Sequence, residues 1–197
     1  MIDDPIISVI YFCIAAYFLK LWYGDLRAAE KPKNAFPGAE YAPMSAVIIA
    51  VVGILVLLGA YTGAEIAMGV ESEQSTLGIF ALFSMIAAAF VEELIFRGYL
   101  VVENRGRLAL IGGIVGFSIV FALIHSFFWS YTDESGLVFN FTAKASLDTF
   151  FIFANSLWFY AVRFLPFNPK RSLIPCIAAH LAYNLGVFAV KMIQGFA

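Results

Sequence analysis

LGIFALFSMIAAAFVEELIFRGYL, residues 77–100, is apolar for the length of a membrane-crossing helix, yet its second half carries Glu92, Glu93 and Arg97. About 20 residues rising 1.5 Å each cross the hydrocarbon of a bilayer. A charged side chain at that depth costs roughly 3 kcal/mol on insertion scales, so it faces neighbouring helices or a water-filled cavity instead of lipid. The stretch predicts a membrane helix with a buried polar site, and EELIFR is where the chemistry is expected.

The rest of the chain fits that setting. Of its 197 residues 62% are hydrophobic and only 13% charged, and the mean hydropathy is +0.88. Soluble domains carry about 25% charged residues. The composition predicts an all-α polytopic membrane bundle. Net charge is −2 and no basic stretch is interleaved with aromatics, which argues against nucleic acid as a partner. Cys13 and Cys176 fall in separate apolar segments and read as small core residues. The N-terminus, MIDDPIISVI, has acids where a signal peptide carries lysine or arginine, so the first helix is expected to be retained.

Six apolar segments can be drawn, at about 5–23, 44–70, 77–100, 109–131, 146–165 and 173–195, within one domain spanning 1–197. Lys20, Arg27, Lys31, Lys33, Arg97, Arg105, Arg107, Arg163, Lys170 and Arg171 then fall on one side, and only Lys144 and Lys191 on the other. By the positive-inside rule both termini lie outside and the 24–43 loop is cytoplasmic. The expected location is that of a multi-pass integral membrane protein, in the plasma (inner) membrane if the source is prokaryotic. Asp3, Asp4, Glu71, Glu73, Asp133 and Glu134 fall on the outer side. Gly112 and Gly116 form a smooth strip on which another helix can pack closely.

Both histidines of the chain lie in apolar segments, His125 in FALIH and His180 in HLAYN. Asn184 follows His180 by four residues and Phe121 precedes His125 by four, so each pair shares a helix face. Glu93 and Arg97 are also four apart, with the acid N-terminal, the better order for an ion pair. Taken singly, each has a plain structural reading: interhelical hydrogen bonds for His125, His180 and Asn184, a buried ion pair for Glu93 and Arg97. Glu92 is harder to place that way, because Arg97 neutralises one acid only. Glu65 and Asp148 lie near outer helix ends, within reach of headgroups. Asn155, central in the fifth segment, could line the same cavity, but nothing in the sequence connects it to the site.

Together the set suits hydrolysis. A carboxylate and a histidine can activate water and return a proton to a leaving amine. Donors on a histidine and an asparagine can hold a developing oxyanion. There is no GxSxG motif, no Ser–Lys pair and no GxGD-type aspartate. A water nucleophile therefore fits better than a covalent one. Counted from the cytoplasmic ends, Glu92 and His180 lie roughly 10–12 Å deep and His125 roughly 24 Å deep. The levels meet if the fourth helix begins nearer residue 115 or is tilted. The site is expected to open to the cytoplasmic half of the membrane.

Glu92-Glu93-Leu-Ile-Phe-Arg97, Phe121-Ala-Leu-Ile-His125 and His180-Leu-Ala-Tyr-Asn184, in that order on separate apolar segments, resemble the CPBP or ABI family of intramembrane proteases. That family includes the Ras-converting CaaX endopeptidase and bacterial proteins linked to bacteriocin processing or self-immunity. The likeness spans about residues 85–190. It implies that Glu92 and His125 activate the hydrolytic water and that His180 and Asn184 stabilise the oxyanion. It assigns Glu93 and Arg97 a supporting role, and it implies no metal and no other cofactor. Implied partners are a membrane-bound or lipidated peptide and membrane lipid. Competing readings are a zinc peptidase using Glu92, His125 and His180, a proton-coupled transporter, and a non-catalytic immunity protein.

Overall fold

The computed structural model describes residues 5–197; Asp3 and Asp4, assigned above to the outer side, lie beyond the described residues. Six helices dominate: α1 (Pro5–Arg27), α2 (Met44–Met68), α3 (Ile79–Glu92), α4 (Arg107–Ile124), α5 (Ala143–Phe164) and α6 (Ile174–Gln194). A short antiparallel hairpin, β1 (Trp129–Thr132) and β2 (Gly136–Phe139), pairs Trp129 with Phe139 and Thr132 with Gly136. The principal packings are α2 on α6, α1 on α3, α4 on α5, α3 on α6 and α2 on α5.

Apolar side chains cover the outside of this bundle as well as its centre. Ile6, Ile10, Val52, Val56, Leu108 and Ile119 are all exposed, as lipid-facing residues are. Five of the helices are long and apolar enough to cross a membrane; α5 is not among them. It carries Lys144, Asp148 and Arg163, and all three are buried against protein. Thr142 caps its start by accepting from the Ala145 amide at 3.2 Å. Gly69 and Gly195 end α2 and α6 in the left-handed conformation that spares glycine a Cβ clash.

Three expectations change. The fourth helix was expected over 109–131, but it ends at Ile124, with His125 as its C-cap, and the chain turns into the hairpin. It also begins at Arg107, not near residue 115. Gly112 and Gly116 receive no helix, since a Cβ on either would meet nothing within 4 Å. Close approach occurs instead at Gly53, where a Cβ would lie 2.1 Å from the Trp158 ring, and at Gly186, 2.5 Å from Leu58. Glu65 and Asp148 do not reach for headgroups. They close on Lys144 at 3.0 and 2.5 Å, and the Tyr61 hydroxyl lies 2.7 and 2.6 Å from them. Partners 87 residues distant in sequence make this cluster, which no local pattern reveals.

Candidate active site

The helix does not stop where α3 ends, at Glu92. It widens into a π-helical stretch, Glu93–Tyr99, marked by the Leu100 amide bonding the Ile95 carbonyl at 2.8 Å. Such widened turns are rare and concentrate at functional sites. Here the transition separates the two adjacent acids. Glu93 has no exposed side-chain surface, whereas the Glu92 side chain is 26% exposed and lines a cavity.

Arg97 also has no exposed side-chain surface; its two terminal nitrogens are held, and its Nε is buried without a hydrogen-bond partner. It donates to Glu93 Oε1 at 3.1 Å, and to the Ser156 carbonyl and hydroxyl at 3.2 and 2.6 Å. Its guanidinium lies over the rings of Phe121, Phe159 and Tyr160 at 4.5, 5.0 and 4.9 Å. Ser156 passes the chain on to Ser118 at 2.9 Å, which ties α3, α4 and α5 together. Breaking one side of such a pair strands a buried charge and costs about 3–5 kcal/mol.

The same Glu93 oxygen accepts from His180 Nδ1 at 2.8 Å, so that nitrogen carries the proton. The His180 ring stacks on Phe159 with centroids 5.0 Å apart and turns Nε2 toward Glu92, 3.9 Å from Oε2. Asn184, one turn on, donates one amide hydrogen to the Met85 carbonyl at 2.8 Å and keeps a second. His125 Nδ1 is 2.7 Å from the Phe121 carbonyl of its own helix. A carbonyl can only accept, so Nδ1 is protonated and a neutral ring has its lone pair on Nε2. Glu92 Oε2 is buried without a hydrogen-bond partner.

Glu92, His125, His180 and Asn184, which are scattered along the sequence, line one cavity of about 350 Å³ together with Ile7, Tyr11 and Met85. His125, although at the far end of α4, reaches it, so α4 is inclined or displaced along the bundle relative to α3 and α6. A second chamber of about 230 Å³ shares Met85, His125, His180 and Asn184, and continues between α4, α5 and α6. A third, of about 420 Å³, shares Phe127, Ile152, Tyr183 and Val187 with the second. The polar residues that the sequence did not tie to the site are Ser118, Asn155, Ser156 and Tyr160. Their one available signal was polarity in the middle of apolar helices.

The first two cavities extend from the site toward the hairpin end of the bundle, and the third lies there, lined by Asn140 and Thr142 and by none of Glu92, His125, His180 and Asn184. Toward the arginine-rich end the site is closed by Phe96, Arg97 and Tyr160, whose hydroxyl bonds the Phe96 and Leu100 carbonyls at 2.8 and 3.0 Å. In the orientation drawn from the lysine and arginine bias, the opening therefore faces the outer half, not the cytoplasmic half. A cytoplasmic mouth requires the opposite orientation.

Among the described residues no three His, Cys, Asp or Glu side chains cluster at metal-ligand spacing. The donor set is chemically able to hold a cation, since both Nδ1 atoms are held by protein oxygens and both Nε2 atoms remain available.

Residues 74–186, more than half of the chain, match the family model described as type II CAAX prenyl endopeptidase Rce1-like. Neither the curated proteins nor the solved structures include a match. The three motifs lie within the matched span. The chain belongs to the Rce1-like family of type II CAAX prenyl endopeptidases.

Proposed function

We propose that this protein is an intramembrane endopeptidase that cleaves membrane-associated or lipidated peptides with water activated by Glu92 and His125. The observation that carries the reading is the unpartnered Glu92 oxygen, buried at the wall of a cavity that His125, His180 and Asn184 also line. His180 Nε2, 3.9 Å from that oxygen, is beyond hydrogen-bond reach, so the carboxylate is placed to take a proton from something the cavity admits.

Glu92 Oε2 removes a proton from a water that the His125 Nε2 lone pair helps to orient. The water oxygen attacks the scissile carbonyl carbon, and the carbonyl oxygen becomes an oxyanion. The second amide hydrogen of Asn184 and His180 Nε2–H hold that charge; donation from Nε2 requires the imidazole to carry both protons. As the carbon–nitrogen bond breaks, the proton on Glu92 passes to the leaving amine, which restores the carboxylate. Glu93 and Arg97 take no part in bond making. They set the His180 ring and the α3 backbone.

Ile7, exposed on the outside of α1, and Tyr11 form one wall of the Glu92 cavity. An apolar wall continuous with the lipid-facing surface suits a substrate that carries a lipid or arrives within the bilayer. The proposed reaction uses no resident metal. Its test is cleavage of a quenched peptide by purified protein in nanodiscs. His125→Ala and His180→Ala are expected to abolish turnover, and phenanthroline is expected to leave the wild type active. Turnover unimpaired in both variants would overturn the assignment; loss on chelation that zinc restores would replace it with the metallopeptidase reading.

A further inference from the structure

Asn155 sits in the middle of α5, 2% exposed, with neither amide atom in a hydrogen bond. Tyr183 lies beside it without closing a bond of normal geometry. A buried amide left open on both its donor and its acceptor side is uncommon in folded proteins and calls for an account. This one lines the 230 Å³ chamber that also holds His125, His180 and Asn184. That volume is several times the roughly 30 Å³ share of one water, so the space exceeds what a single bridging water needs.

The remaining walls of the chamber include Leu77, Phe121, Phe127, Ile152 and Val187. A peptide side chain entering such a space is apolar and offers Asn155 nothing. Its main chain offers both things the amide lacks, a carbonyl for the NH₂ group and an N–H for the oxygen. We infer that Asn155 is a substrate-positioning residue whose amide hydrogen-bonds the backbone of the peptide segment lying in this chamber, next to the scissile bond. The inference rests on the peptidase reading and deepens it. Asn155 touches no bond that changes; it fixes the register of the chain presented to Glu92.

The test measures KM and kcat in nanodiscs for wild type, Asn155→Leu and Asn155→Ala. The substrate is a quenched fluorescent peptide that the wild type cleaves, compared with versions carrying an ester in place of one amide at successive positions. Both variants are expected to raise KM about tenfold, the size of a lost hydrogen-bond pair. Their kcat should change less than threefold, and their melting temperatures should not fall, since the fold loses no bond. At one position the ester should weaken binding to the wild type and cost the variants nothing further. Unchanged KM in both variants, equal ester penalties in all three proteins, or a melting temperature that falls with turnover would overturn the inference. Failure of the peptidase reading looks different: wild type and Glu92→Gln would then cleave alike.

Discussion

The bundle buries two clusters built from nearly the same parts. Near the hairpin end, Glu65 and Asp148 share Lys144 and Tyr61; at the turn between α3 and the π stretch, Glu93 holds Arg97 and His180, Arg97 also holds Ser156, and Glu92 stands next to them. In the first, both acids reach the lysine within 3.0 Å, and no polar atom of the quartet is left buried without a partner. In the second, the arginine is committed to Glu93 and Ser156, yet Glu92 Oε2, Glu93 Oε2 and Arg97 Nε are all buried with no partner, and of these three residues Glu92 is the one that lines the cavity. Buried charge alone is thus a poor mark of function. Incomplete neutralisation beside a cavity is a better one.

The contrast can be broken by removing each cation in turn. Arg97→Ala strands Glu93 with no exposed surface and should destabilise the protein by about 3–5 kcal/mol, read as a fall in melting temperature or loss of folded protein. Lys144→Met should cost less, about 1–3 kcal/mol, because two acids remain with Tyr61 to share protons. The folded fraction should keep its kcat, since Lys144 stands outside the reaction. Loss of kcat in folded Lys144→Met would show that the two clusters work together.

Packing draws the same line between filled and open places. Gly53→Ala drives a Cβ into Trp158 and should cost about 1–3 kcal/mol by thermal melting. Gly112→Ala, with nothing within 4 Å, should stay within about 0.5 kcal/mol of wild type. A larger loss at Gly112 would mean that something covers that strip in the membrane. Orientation carries no energy but decides which side the cavities serve. A cysteine at position 30 should label from the cytoplasm and one at position 73 from outside; the reverse pattern would place the hairpin end and its cavities in the cytoplasm.

How much of this was legible in the sequence depended on whether the signal was local. Glu93 with Arg97, and His180 with Asn184, were readable because four-residue spacing puts each pair on one helix face whatever surrounds them. The end of α4 was not, because FALIHSFFWSY stays apolar and aromatic beyond His125, and a short run of that kind fits helix and strand equally. Asp133, Ser135 and Gly136, the last at a φ of 66°, were the turn signals in the following loop. The Glu65–Lys144–Asp148 contacts and the place of Asn155 depend on which helices become neighbours. So does the fate of Gly112, since glycine looks the same facing lipid as facing a helix.

The most direct test of the central claim is the turnover of purified Glu92→Gln, with its melting temperature measured on the same preparation. With Glu92 as the base, kcat should fall about 10²- to 10⁴-fold, or to background, with the melting temperature held, since the fold gives that buried oxygen no hydrogen bond to lose. Turnover within a fewfold of wild type in a well-folded Glu92→Gln protein would contradict that assignment.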